Sequence, residues 1–115
     1  MEYEISQYIP KIIESLKSVD PMKIIIFGSF ARDEARRDSD LDLLIVLNNQ
    51  SLPHSYEDKV KLKLSVRRAI RGINHKIPID VLVYTIPEYN ELLMNMGSFF
   101  KEIHETGKVI YEKAG

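Results

Sequence analysis

Apolar residues recur at helical spacing at the start of the chain, where Ile5, Tyr8, Ile9, Ile12, Ile13, Leu16 and Val19 share one face. That period predicts an amphipathic helix. Pro10 lies inside the pattern and either starts the helix or kinks it. Asp20-Pro21 ends it, because a residue before proline is pushed out of helical backbone angles. Residues 23–27 (Lys-Ile-Ile-Ile-Phe) are rich in β-branched side chains and predict a strand buried on both faces. Ser29 is suited to an N-cap, and residues 30–36 have the alanines and charges of a short helix. Leu41–Leu47 predicts a second strand, closed by the turn residues Asn48, Asn49, Gln50 and Ser51.

Over residues 55–71, Leu62, Val66, Ala69 and Ile70, continued by Ile73, form an apolar face opposite Lys and Arg, with Gly72 placed as a C-terminal cap. Residues 78–84 predict a third strand, 88–96 and 98–105 two helical pieces parted at Gly97, and 109–111 a last short strand after Gly107. Helices and strands that alternate in this way predict an α/β (α+β) fold, with helices packed on a small mixed central sheet. No repeat, low-complexity run or linker interrupts the chain, so residues 1–115 are expected to form a single domain.

Composition narrows the class without naming a function. A 44% hydrophobic and 29% charged chain of 115 residues is ordinary for a globular protein. A net charge of -1 supplies no global field for nucleic acid or a membrane surface. With no cysteine, disulfides and thiolate metal sites are excluded. The acidic start Met1-Glu2-Tyr3-Glu4 leads into no long apolar run, so neither a signal peptide nor a membrane span is expected, and a cytoplasmic location is.

The chemistry concentrates between Gly28 and Leu44. Side chains alternate along a strand, so Asp40 and Asp42 point one way while Leu41, Leu43 and Ile45 point the other. Their α-carbons lie roughly 7 Å apart, near enough for both carboxylates to converge on a divalent cation. The competing reading makes Asp38, Ser39 and Asp40 loop residues, with Asp42 on a wet edge. Asp80 tilts the balance: it lies between Ile79 and Val81 in an otherwise apolar strand, where a buried charge demands a partner. That partner is a cation held jointly with Asp40 and Asp42, should the two strands be neighbours; the competing readings are an ion pair with a helix Lys or Arg, or exposure at the strand end. Gly28 permits close approach of a ligand, and Ser29 opens a helix whose N-terminal amides suit phosphate. Arg32 and Arg36, one helical turn apart, would share a face near a phosphate tail; a solvated basic face is the competing reading for Arg36 and the better one for Arg37.

These residues resemble the signature of the DNA polymerase beta-like nucleotidyltransferase superfamily: Gly28-Ser29, ten intervening residues, Asp40-Leu41-Asp42, then Asp80 in a later strand. The chain is most similar to the stand-alone minimal nucleotidyltransferases of prokaryotes, whose pattern Ala31, Arg32, Ala35, Arg36 and Ser39 also match, as does the closing segment 105–112. Asp33 departs from it, at a position where glycine is common. Aspartate tolerates unusual backbone angles, so a local adjustment of the loop is expected there.

The resemblance implies the nucleotidyltransferase fold and Mg²⁺-dependent transfer of AMP from ATP to a hydroxyl, with release of pyrophosphate. Two Mg²⁺ ions would be held by Asp40, Asp42 and Asp80, the last completing the site that activates the acceptor hydroxyl. Gly28 and Ser29 would hold the β- and γ-phosphates, with Arg32 and Arg36 as further nucleotide-binding candidates. It also implies a HEPN-domain toxin as partner, with this chain as its antitoxin and a tyrosine as the modified group. The rivals are a non-catalytic antitoxin that neutralises its partner by binding alone and a metal-dependent phosphodiesterase; Gly28-Ser29 ahead of a helix favours a triphosphate substrate over the latter.

The remaining residues are read more plainly. His54, His75 and His104 have no metal-ligand spacing and fit surface or capping roles. Lys59, Lys61, Lys63, Arg67, Arg68 and Arg71 form a basic helix surface without interleaved aromatics, which fits a solvated or docking face and argues against direct nucleic-acid binding. Leu92, Leu93, Met94, Met96, Phe99, Phe100 and Ile103 exceed what one small helix usually buries, pointing to core packing first and a partner interface second.

Overall fold

The computed structural model describes residues 5–36, 39–95 and 97–114. The expectations for Met1–Glu4, Arg37, Asp38 and Met96 lie outside those residues. The first amphipathic stretch divides into a 3-10 turn at Ile5–Gln7, helix α1 at Ile9–Leu16 and a second 3-10 turn at Lys17–Val19. Pro10 occupies the first turn of α1, where its missing N–H costs nothing, so it starts the helix and does not kink it. Asp20 then takes a left-handed backbone (φ 52°), and strand β1 runs from Pro21 to Phe27.

The predicted helix over residues 30–36 does not form. A 3-10 turn at Gly28–Phe30 is followed by turn and irregular backbone, and the cap position falls to Phe27 with no side-chain cap from Ser29. A helix this short has little propagation to offset nucleation, and Asp33 interrupts it by taking φ 57°. Asp33 thus adopts the left-handed angle that a glycine would supply, as its side-chain type allows.

Strand β2 spans Leu41–Leu47, as its pattern predicts. Helix α2, Tyr56–Ala69, is capped by the Ser55 hydroxyl, which accepts from the Asp58 N–H at 3.1 Å. Gly72 does not cap it but lies within a further short helix, α3, Arg71–Asn74. Strand β3 is Ile79–Thr85, and helix α4, Ile86–Met94, starts with a capping box between Thr85 and Glu88. Helix α5, Ser98–Thr106, ends at Gly107, and strand β4 is Lys108–Glu112.

The strands form one mixed sheet in the order β3-β2-β1-β4, with β1 antiparallel to both neighbours and β2 parallel to β3. Alternation along the strands sends side chains to two cores. Ile24, Ile26, Leu41, Leu43, Ile45 and Leu47 pack with Ile12 and Leu16 of α1 and with Val66 of α2. On the other face Ile25, Phe27, Leu44 and Val46 pack with Tyr89 of α4 and with Phe100 and Ile103 of α5. Both central strands are covered on both sides, which is why they read as unbroken apolar runs.

Leu44 is fully buried two residues beyond Asp42 on the same face. Leu44→Ala is expected to lower the unfolding free energy by about 2–5 kcal/mol in urea titrations. Tyr56→Ala, at a side chain 82% exposed, should stay within about 0.5 kcal/mol of the parent.

Candidate active site

One end of the sheet gathers the polar residues of interest. Phe27, the last residue of β1, is in register with Asp42 of β2, and Asp42 is in register with Asp80 of β3. Because β2 and β3 are direct parallel neighbours, Asp42 and Asp80 share the sheet face that also carries Leu44 and Val46. Asp40 lies just before β2, exposed and outside the strand. Asp80 is exposed too, which corrects the expectation of burial and agrees with the competing reading of exposure at the strand end: the opening residues of an edge strand have solvent on one side even when the rest of the strand is apolar. Among the described residues no three carboxylates or imidazoles sit close enough together to cage a cation as they stand.

Electrostatics nevertheless link the three aspartates. Burial pushes the half-buried Asp42 carboxyl above its ordinary range, and the charges of Asp80 and Asp40 push it the same way, against a smaller pull from Arg32. No lysine or arginine forms an ion pair with Asp40, Asp42 or Asp80 among the described residues. Three oxygen-donor carboxylates, mutually repelling and unpaired, are chemically suited to a hard divalent cation.

Gly28 sets how close the first turn comes. It has φ +75°, and a Cβ there would overlap Asp42 Oδ2 and lie 3.2 Å from Asp42 Cγ. Only glycine gives both the angle and the room. Ser29 is half-buried, and among the described residues its hydroxyl has no hydrogen-bond partner, which leaves it available to a ligand.

The two candidate arginines part company. Arg32 is held by carboxylates on both sides: its Nε donates to Glu34 at 3.0 Å and its Nη1 to Glu102 of α5 at 2.9 Å. The bond that Arg32 donates to Glu34, with the charges of Glu34, Glu102 and Asp42 behind it, raises the Arg32 pKa further. Arg36 is not on a shared helical face with it. Its backbone N–H donates to Ser39 Oγ at 2.7 Å, and its side chain meets no carboxylate among the described residues. Glu102 went unforeseen, since nothing local in the sequence connects positions 70 residues apart. Phe99 belongs here as well: 63% exposed, it sets its ring edge-on to Phe27 at 6.1 Å, so the first turn of α5 lies beside the Gly28 turn. His54, His75 and His104 are all exposed and take no part in the site.

Two measurements test this geometry. With its folded pKa raised, ionised Asp42 penalises folding; the penalty is absent below the unfolded carboxylate pKa and complete above the folded one. Asp42→Asn should therefore stabilise the metal-free protein at pH 7, and the gain should vanish as the pH falls through the ordinary carboxylate range. A gain unchanged at acid pH in urea titrations would contradict the electrostatic account. Separately, Gly28→Ala should destabilise by more than about 1 kcal/mol. Gly72→Ala, with open space around it, should be neutral or stabilising.

Comparison with known proteins places this arrangement. No curated protein matches the chain in sequence. In structure it is similar to a provisionally assigned nucleotidyltransferase from Sulfolobus solfataricus, with a TM-score of 0.56 and 17% identity over 98% of this chain and 91% of that one. It is also similar to a chain in a toxin–antitoxin crystal structure with AMP-PNP, with a TM-score of 0.54 and 17% identity over 91% of this chain and 73% of that one. A third is a mutant of the toxin–antitoxin MntA-HpeT, with a TM-score of 0.50 and 16% identity over 90% of this chain and 72% of that one. At such identities the likeness establishes a shared fold. The family profile described as polymerase beta, nucleotidyltransferase matches residues 10–114, and proteins of that family generally use a nucleoside triphosphate and a divalent metal. The chain belongs to the polymerase beta-like nucleotidyltransferase family.

Proposed function

We propose that this chain is a minimal nucleotidyltransferase acting as an antitoxin, which transfers AMP from ATP to a tyrosine hydroxyl of a HEPN-domain toxin. The observation that carries the reading is the strand register that sets Asp42 beside Asp80, with the Gly28 turn closed down onto Asp42. The similar toxin–antitoxin structure with AMP-PNP supports an adenine nucleotide and a protein partner.

In this reading Asp40, Asp42 and Asp80 hold Mg²⁺, two ions in the full site, which supply charge stabilisation at the reacting phosphate. The Gly28 turn and the Ser29 hydroxyl bind the β- and γ-phosphates, and Arg32 adds positive charge at the phosphate tail. Asp80, exposed on the rim, meets the acceptor and orients its hydroxyl. The hydroxyl oxygen bonds to the α-phosphorus as the bond to the bridging oxygen breaks. Pyrophosphate carries away that electron pair, and the hydroxyl proton passes to a rim carboxylate or to water. Half-burial of Asp42 thins the water around the reacting group and strengthens each charge in it.

A non-catalytic antitoxin that works by binding alone is the second reading, favoured by the open spacing of the three carboxylates. Incubation with a HEPN-domain protein, Mg²⁺ and each of the four nucleoside triphosphates separates them by intact-mass spectrometry. The expected result is an AMP-sized increment on the partner with ATP, lost in Asp42→Asn and on chelation of the metal. A partner left unmodified by all four nucleotides, yet still neutralised, would sink the enzymatic reading.

A further inference from the structure

The end of the sheet that carries the aspartates has a second face. Helices α2 and α3 pack on the side opposite Asp42, and after Asn74 the chain returns to the start of β3. There a groove of about 290 Å³ is lined by residues that include Leu64, Arg67, Arg68, Arg71, Asn74 and Ile79. Ile79 is the chain neighbour of Asp80, so the groove lies at the aspartate end of the sheet, on the face opposite Asp42.

The three arginines are exposed, and among the described residues none of them meets a carboxylate. Six other cations, Lys17, Lys23, Arg32, Lys59, Lys108 and Lys113, each have an acidic partner, whereas among the described residues none of these three arginines does. The negative end of the α2 dipole accounts for Arg67 and Arg68 in its last turn. It does not account for Arg71 joining them around one concavity. Clustered guanidinium groups suit planar oxyanions, which they take by paired hydrogen bonds. Two features select among anions. Leu64, 42% exposed, and Ile79 give the groove an apolar wall, and among the described residues no aromatic side chain lines it for base stacking. A polynucleotide has little use for such a wall, whereas an acidic peptide that carries an apolar side chain fits both parts.

We propose that this groove docks an acidic, leucine-containing segment of the protein acceptor and so delivers the acceptor hydroxyl to the rim at Asp80. The inference rests on the reading that the acceptor is a separate protein. It assigns a job to cations that the transfer chemistry leaves unused.

Fluorescence anisotropy with the full chain tests it, without nucleotide or metal, so that the answer is independent of whether transfer occurs. The probes are a short labelled peptide of Asp, Glu and Leu, the same peptide with Asn and Gln in place of the acids, and a short oligouridylate. The acidic peptide should bind, weaken as salt rises, and lose at least about tenfold in affinity in the Arg67→Glu/Arg71→Glu double variant. The amide peptide should not bind. Circular dichroism checks that the variant folds, and Arg68→Glu alone provides a milder second case. Failure of the acidic peptide to bind, or equal binding by parent and variants, overturns the proposal. Tighter binding of oligouridylate that is lost in the same variants overturns it too, by making the groove a nucleic-acid surface.

Discussion

The register of three strands governs everything else in this molecule. Phe27, Asp42 and Asp80 lie side by side across β1, β2 and β3, and the Gly28 turn follows from the first of them. A slip of one residue in β2 would exchange its faces. Leu41, Leu43 and Ile45 would leave the core beneath α1 and α2, and Asp42 would enter it. The apolar residues therefore place the acidic ones. Burying both faces of β2 leaves a single acceptable register, and that register decides which carboxylates become neighbours.

The site is thus built against local electrostatic preference. Asp42 is half-buried, faces two like charges and lies under a glycine turn that comes too close for any other residue. Such an arrangement persists only because cores on both sides of the sheet overdetermine the backbone that carries it. A stability cost at unpaired carboxylates is what a site that gains a cation and a polyphosphate would carry in their absence. The ion pair between Arg32 and Glu102 ties the loop after β1 to α5 across the same end.

Legibility in the sequence followed the range of the forces involved. Leu41–Leu47 could be read to the residue because a doubly buried strand leaves a continuous apolar run. The segment read from residue 55 opens at the Ser55 cap, and Pro10, read as a start or a kink, is a start; both depend on interactions that span only a few positions. The segment after Phe30 misled because helix propensity is a weak prior over seven residues, and the left-handed angle at Asp33 outweighs it. Asp80 was expected at the right place for a partly wrong reason. Its apolar neighbours suggested burial, but sheet order, which no local pattern encodes, puts it on an edge strand. The approach of Glu102 to Arg32 and of Phe99 to Phe27 depends on how α5 lies over β1, a long-range fact with no periodic signature.

Strand β4 contributes none of the candidate chemistry, yet it pairs with β1 along residues 23–26, and the Lys113 ammonium just beyond it reaches the Asp20 carboxylate at 2.8 Å. A premature stop at Gly107 would spare every aspartate, the glycine turn and the arginine groove. It would also turn β1 into an open edge bearing Ile24, Ile25 and Ile26, the kind of surface on which other chains add as strands. Such an allele would lose function through self-association while every candidate active-site residue remained in its sequence. In a genetic screen it would be scored as a solubility mutant, and sequencing alone would not connect it to Asp42 and Asp80, two and three strands away from its lesion.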